Sequence, residues 1–171
     1  MKAAFLDRDG TIIKDIGYIN SPEFIRFLPG SIEGLKKLRS LGFSLFIVTN
    51  QSGINRGYLS FERYKIITFE IVRRLIMEHV WIKDVIFCPY PPSVRAECRK
   101  PSPLMLLRLK DKYPDIVFGE SFIIGDKESD VQAGLSAGTR AIRISKIPVE
   151  TQAEVAVNSL LEAADYIEKV Q

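Results

Sequence analysis

Two carboxylates stand one residue apart near the start of the chain, in the run Ala3-Ala4-Phe5-Leu6-Asp7-Arg8-Asp9-Gly10-Thr11, where an apolar stretch gives way to a glycine turn. Like charges at this spacing repel, and one of the two takes up a proton unless a cation or hydrogen-bond donors offset the repulsion. Mg²⁺ is an economical solution, because it prefers oxygen ligands and commonly takes one or two carboxylates together with a substrate phosphate. The pair can then divide its labour: Asp7 attacks phosphorus as a nucleophile, and Asp9 moves a proton as general acid and base. Asp and Gly also favour ordinary solvated turns. Against that plainer reading, Asp-x-Asp-Gly-Thr specifies four positions, and its chance expectation in a chain of this length is on the order of 10⁻³.

Three further segments carry groups suited to the same chemistry. Thr49-Asn50-Gln51-Ser52-Gly53 offers hydroxyl, amide and backbone N–H donors to phosphate oxygens, although by itself it is also a polar turn. Arg99-Lys100-Pro101 places a forked guanidinium beside a compact ammonium. Lys100 would neutralise a transferring phosphoryl group, and Arg99 would clamp another part of the substrate bidentately. An Arg-Lys pair alone is usually solvated surface, so this assignment depends on the other motifs. In Gly125-Asp126-Lys127-Glu128-Ser129-Asp130, Asp126 is placed to complete a Mg²⁺ shell with Asp7. Asp130, one helical turn on, would accept bonds from Lys100 or a metal-bound water. Glu128 needs no role beyond the acidic first turn that a helix dipole favours.

These groups can cooperate only if the fold gathers them. Short apolar runs alternating with amphipathic stretches predict β-α units, with a parallel sheet covered on both faces. Strands are expected at Ala3–Leu6, Ser44–Val48, Asp84–Phe87, Ser121–Ile124 and Arg140–Ile144. Helices are expected at Ser31–Ser40, Ser60–His79, Pro103–Lys112, Ser129–Ala137 and from about Ser159 onward. Ser159-Leu160-Leu161-Glu162 has capping-box spacing, and Gly42 follows the first helix where a terminal glycine belongs. Val155–Val157 fits either a further edge strand or the start of the final helix. Each motif follows a strand, so all collect at the carboxyl edge, where α/β folds bind ligands. Two long connections are expected to overhang it: 10–29, which includes Asp15-Ile16-Gly17-Tyr18, and 88–102, which contains four prolines.

Composition excludes several classes. With 171 residues, 46% hydrophobic and 26% charged, the chain is an ordinary globular sequence, expected to form a single domain over residues 1–171. Its net charge is +3, with 24 Lys and Arg spread among 21 acids, so no nucleic-acid partner is expected. No apolar run approaches the roughly 18 residues of a membrane span and no cleavable leader is evident, so a cytoplasmic, monomeric protein without membrane contact is expected. Two cysteines are too few for a disulfide-dense scaffold, and the single histidine, His79, lies in a helical pattern, which excludes a histidine triad.

Phe5-Leu6-Asp7-Arg8-Asp9-Gly10-Thr11, Thr49-Asn50-Gln51-Ser52-Gly53-Ile54 with Arg56-Gly57, Cys98-Arg99-Lys100-Pro101 and Gly125-Asp126-Lys127 occur in this order. Together they resemble the haloacid dehalogenase superfamily of phosphatases, and within it the subgroup of heptose-bisphosphate and histidinol-phosphate phosphatases, the heptose branch being favoured. The resemblance implies a three-layer Rossmann-like sheet without a large cap domain, Mg²⁺ dependence and an aspartyl-phosphate intermediate. The implied substrate is a small phosphate ester, D-glycero-D-manno-heptose 1,7-bisphosphate losing its 7-phosphate; histidinol phosphate or a broader set of sugar phosphates is the alternative.

By the same resemblance, Asp7 is nucleophile and Mg²⁺ ligand, Asp9 is acid/base and binds the metal through its carbonyl, and Asp126 is a further ligand. Thr49 and Lys100 stabilise the phosphoryl group. Asp15, Ile16, Gly17, Tyr18, Thr49, Asn50, Gln51, Ser52, Arg99, Lys100 and Lys127 touch substrate. One departure stands out. Relatives in the subgroup often fold the loop before Arg-Lys-Pro around zinc, with Cys-x-His and then Cys-x-Cys, where this chain has Cys88-Pro89-Tyr90 and Ala96-Glu97-Cys98. Structural zinc takes four nitrogen or sulfur ligands, so no zinc is expected. The cysteines are then either small apolar loop residues or a pair that can oxidise if close enough.

Three other classes fit less well. A signalling receiver would carry its phosphorylated aspartate after the third strand, which here ends Phe87-Cys88-Pro89. A mutase needs a domain that closes over the site and excludes water, whereas 10–29 has room only for a flap. A catalytically dead binding protein fits least, since every charged group the reaction needs is present.

Overall fold

Strand burial follows from the alternation of apolar residues between two cores. The computed structural model describes residues Met1–Gln171. Its elements run β1 (Ala3–Leu6), α1 (Ser31–Ser40), β2 (Ser44–Asn50), α2 (Phe61–Met77), β3 (Ile82–Cys88), α3 (Leu104–Lys112), β4 (Phe122–Gly125), α4 (Glu128–Ala137), β5 (Arg140–Ile144), β6 (Val155–Val157) and α5 (Leu160–Val170). On one face of the sheet Ala4, Leu6, Leu45, Ile47, Phe122, Ile124 and Ile142 pack against α1, α2 and α5. On the other, Ala3, Phe5, Phe46, Val48, Ile123 and Ala141 pack against α3 and α4. Strands covered on both faces need apolar residues at every position, which is why they read as continuous runs in the sequence. The result is the expected three-layer α/β sandwich.

All six strands are parallel, in the order β3-β2-β1-β4-β5-β6. The chain winds outward from β1 through β2 to β3, returns to place β4 on the other side of β1, and winds outward again. This reversal opens a crevice beyond the carboxyl ends of β1 and β4. The 10–29 connection folds back over that edge through bridges Asp9↔Ile13 and Ile13↔Phe27, pinned by buried Ile12, Ile13, Ile19 and Ile25. It is a flap, with no cap domain.

The observed ends differ from local expectation where pairing between strands decides them. Thr49 and Asn50, expected in a turn, are the last residues of β2, because they continue its ladder opposite Phe87 and Cys88. For the same reason β3 extends to Cys88. Val155–Val157 is a strand, paired with Ile142–Ile144 of β5. Ser159 does cap α5, its side chain accepting from the N–H of Glu162, but Glu162 closes back on the N–H of Asn158 rather than of Ser159.

Helices α1 and α5 cross closely because Gly34 has no side chain. A Cβ there would stand 2.5 Å from the carbonyl carbon of Leu160, too near for any rearrangement short of separating the helices. Gly34→Val is therefore expected to destabilise the fold by about 1–3 kcal/mol, the usual cost of overpacking. A urea-unfolding midpoint equal to that of the parent chain would contradict this account of the contact.

Candidate active site

The site begins where β1 ends. The ladder continues one residue past the strand, the Asp7 N–H donating to the carbonyl of Ile124 at 3.0 Å, so Asp7 is delivered to the crevice by backbone pairing alone. Gly10 then turns the chain with φ +86°, and a Cβ at this position would lie 2.4 Å from Asp126 Oδ2. Glycine thus supplies both the left-handed conformation and the clearance that lets the β1 loop sit against the β4 loop.

Asp7, Asp126 and Asp130 converge there, each offering a carboxylate oxygen within 4.8 Å of the others. Lys100 joins them from the opposite side. Its Nζ donates at 2.8 Å to Asp7 Oδ1 and at 2.6 Å to the carbonyl of Val48, and lies 2.6 Å from Asp130 Oδ1. The lysine is only 3% exposed. Burial by itself disfavours its charge, yet the carboxylates of Asp7 and Asp130 prevail and raise its pKa above the ordinary lysine value. It is held as an ammonium.

Three carboxylates against one ammonium leave excess negative charge. The effect falls on Asp126, whose pKa is pushed up to about 7 by burial and then by the charge of Asp7, with Asp130 adding and Lys127 opposing. Its Oδ1 is buried and accepts no hydrogen bond. An all-oxygen donor set with an unpartnered buried acceptor fits a hard divalent cation such as Mg²⁺.

Asp9 is kept in different company. Arg8, 2% exposed, donates from Nε to Asp9 Oδ2 at 2.9 Å and from Nη2 to Oδ1 at 3.0 Å. The same Nη2 also reaches Gln51 Oε1 at 2.9 Å. Gln51 Nε2 in turn donates to Asp9 Oδ2 at 2.7 Å and to Thr49 Oγ1 at 2.9 Å. Burial lifts the Asp9 carboxyl above its ordinary pKa, although Arg8 works against the shift. Sequence reasoning missed Arg8. The available signal was a cation set between two acids at the end of a buried strand, where an unpaired charge is not tolerated.

The mouth is built from the flap and the two loops facing it. Asn50 and Lys100 exchange hydrogen bonds, Asn50 Nδ2 to the Lys100 carbonyl at 3.2 Å and the Lys100 N–H to Asn50 Oδ1 at 3.1 Å, which fixes the Arg-Lys-Pro segment on the end of β2. Lys127 spans to the flap through Asp15, 3.3 Å away. Burial opposes the Lys127 charge, but Asp126, Asp7 and Asp15 raise its pKa.

A cavity of about 310 Å³ results, and of the sequence-predicted residues Asp7, Asp9, Asp15, Gly17, Tyr18, Asn50, Gln51, Ser52, Arg99, Lys100, Lys127 and Asp130 line it. Three do not. Ile16 is 46% exposed outside the cavity, Thr49 is 1% exposed behind Gln51, and Asp126 lies behind the lining in the carboxylate cluster. Gly53, part of the Thr49–Gly53 donor segment, and Ser129, which was assigned no role from sequence, line the cavity as well. Of the two readings of the cysteines, the structure has the pair: Cys88 and Cys98 form a disulfide, Cα–Cα 5.5 Å. Cys88 is the last residue of β3, paired with Asn50, and so a strand residue and not a loop one.

This sheet order sets an acidic and lysine cluster at the switch point of a doubly wound parallel α/β sheet, where such folds bind ligands. Residues 97–147 match the family described as "HAD-hyrolase-like". The chain is 38% identical over 169 residues, covering 97% of each sequence, to a D-glycero-beta-D-manno-heptose-1,7-bisphosphate 7-phosphatase of Helicobacter pylori strain J99. It is 42% identical over 145 residues, 81% of this chain and 79% of the relative, to a Photorhabdus laumondii protein named for the alpha anomer. Among solved structures, the D,D-heptose 1,7-bisphosphate phosphatase from B. bronchiseptica, complexed with magnesium and phosphate, is similar with a TM-score of 0.87 at 26% identity over 100% of both chains. The chain belongs to the haloacid dehalogenase-like phosphatases, which are phosphoric monoester hydrolases, in the subgroup of these heptose-bisphosphate relatives.

Removing one partner of a buried ion pair leaves the other charge uncompensated. Asp130→Ala is expected to lower the unfolding free energy by about 3 kcal/mol, read by urea denaturation. A variant as stable as the parent would mean that Asp130 does not hold Lys100.

Proposed function

We propose that the chain is a Mg²⁺-dependent sugar-bisphosphate phosphatase that removes the 7-phosphate of D-glycero-D-manno-heptose 1,7-bisphosphate through an aspartyl-phosphate. The observation that carries this reading is the buried cluster of Asp7, Asp126, Asp130 and Lys100, under a mouth bearing Arg99 and Lys127.

In this reading an Asp7 oxygen attacks phosphorus and the ester oxygen departs with a proton from Asp9. Asp9 then takes a proton from water as it attacks the acyl phosphate, releasing phosphate and restoring Asp7. The raised pKa of Asp9 suits the acid step. Lys100 neutralises the phosphoryl oxygens while holding Asp7 in place. Asp7, Asp126 and the Asp9 carbonyl would hold Mg²⁺, with Asp130 behind them. The ion, when bound, supplies the positive charge that lets a carboxylate approach a phosphate dianion.

Asp15, Gly17, Tyr18, Asn50, Gln51, Ser52, Arg99 and Lys127 form the substrate surface. Thr49 acts through its bond to Gln51, and Ile16 through its place in the flap. The small phosphate ester is the partner. The protein acts as one domain over residues 1–171, as a cytoplasmic monomer; no helix is long and apolar enough to cross a membrane. Zinc is absent in this reading, because only two of the four ligands it needs, Cys88 and Cys98, are present. In a reducing cytoplasm the pair is expected as thiols, the disulfide being its oxidised form.

The test is a rate panel with both anomers of the heptose 1,7-bisphosphate, histidinol phosphate and simple sugar monophosphates. A heptose bisphosphate is expected to be preferred, and equal rates throughout would remove the heptose assignment. Asp7→Asn is expected to stay folded and lose turnover; retained activity would refute the nucleophile. EDTA should inhibit, Mg²⁺ should restore, and metal analysis should find no zinc, a stoichiometric amount of which would overturn that absence.

A further inference from the structure

Two guanidinium groups near the mouth have no anionic partner. Arg8, Arg73, Arg74, Arg140 and Arg143 each grip a carboxylate. Arg99 makes no ion pair; its Nη1 donates only to the carbonyl of Tyr90, at 3.0 Å, while its side chain lines the cavity. Arg56, exposed on the turn after β2, makes none either, and is not among the residues that line the cavity.

Backbone bonds draw these two segments together. The Gln51 N–H donates to the Cys88 carbonyl at 2.7 Å and the Asn55 N–H to the Pro89 carbonyl at 3.3 Å. The turn carrying Arg56 is thereby fastened to the loop that runs to Arg99. That loop is closed on itself by the Cys88–Cys98 bond and by the Arg99–Tyr90 contact. The flap reaches the same corner, the Tyr18 ring standing 4.8 Å from that of Tyr58 on the turn.

The two cations sense each other. Burial and then the charge of Arg56 lower the Arg99 pKa, with Tyr18 opposing. Like charges on segments fastened together repel, and a phosphate dianion accepting from both forks relieves that repulsion.

We propose that Arg56 and Arg99 form a two-guanidinium clamp for the phosphate that does not react, and that Arg56 thereby sets the preference for a bisphosphate over a monophosphate. This rests on the reading of the substrate as a sugar bisphosphate. Lys100 holds the reacting phosphate for attack by Asp7 in either case, so the clamp acts on affinity for the far end of the substrate.

Arg56→Ala, Arg56→Lys and Arg99→Ala are to be compared with the parent enzyme on heptose 1,7-bisphosphate and on heptose 7-phosphate, which lacks the distal phosphate. Arg56→Ala is expected to lower kcat/KM on the bisphosphate about tenfold or more, chiefly through KM, and to leave the monophosphate nearly unchanged. Lys should restore part of the loss, and thermal unfolding should match the parent, since the side chain is on the surface. A selective loss in Arg99→Ala without one in Arg56→Ala would overturn the clamp and leave the bisphosphate reading standing. Equal losses on both substrates in Arg56→Ala would also overturn it. A parent enzyme indifferent to the distal phosphate would remove the bisphosphate reading itself, and the clamp with it.

Discussion

Everything at this site depends on one buried ammonium. Lys100 is sequestered from water, where a lone charge is untenable, and it persists because Asp7 after β1, Asp130 on α4 and the Val48 carbonyl of β2 all reach its Nζ. Three elements far apart in sequence are tied to one atom. The dependence is mutual, since Asp7 and Asp130 lie equally out of water and find in Lys100 their compensating charge. The carboxyl edge of the sheet is therefore an electrostatic unit as much as a packing one.

The unit is incomplete by design of its charges. One ammonium balances only part of three carboxylates, and the surplus appears as the raised pKa of Asp126 and its unpartnered Oδ1. A divalent cation is the chemically matched complement. Asp9, only two residues from Asp7, escapes this cluster because Arg8 and Gln51 hold it on the other side. Two carboxylates separated by a single residue thus acquire different environments, the condition for different roles in a proton-coupled displacement.

Much of the architecture was legible from local pattern. The apolar runs of β1 and β5 and the cap signals of α1 and α5 follow from burial periodicity and capping, which nearby residues decide. The ends of β2 and β3 were not legible, because Thr49, Asn50 and Cys88 are strand residues only by virtue of pairing with one another across the sheet. The pairing of Cys88 with Cys98 was open for a related reason: a proline-rich loop returns one to the other across a sequence separation of 10, and no local rule states that distance.

By itself, the sequence determined the chemical inventory: Asp7, Asp9, Lys100 and Asp126 after successive apolar runs, in a family order that implies phosphoryl transfer. It determined the layering as well, since period and hydrophobicity are local properties. Only the tertiary structure decided who neighbours whom. Arg8 turns inward to Asp9, Asp130 takes Lys100, Ile16 turns outward, and the turn carrying Arg56 is fastened to the loop that runs to Arg99. Such pairings depend on Coulomb interactions over a few ångströms between segments brought together by sheet order and loop closure. Distance along the chain carries no record of them.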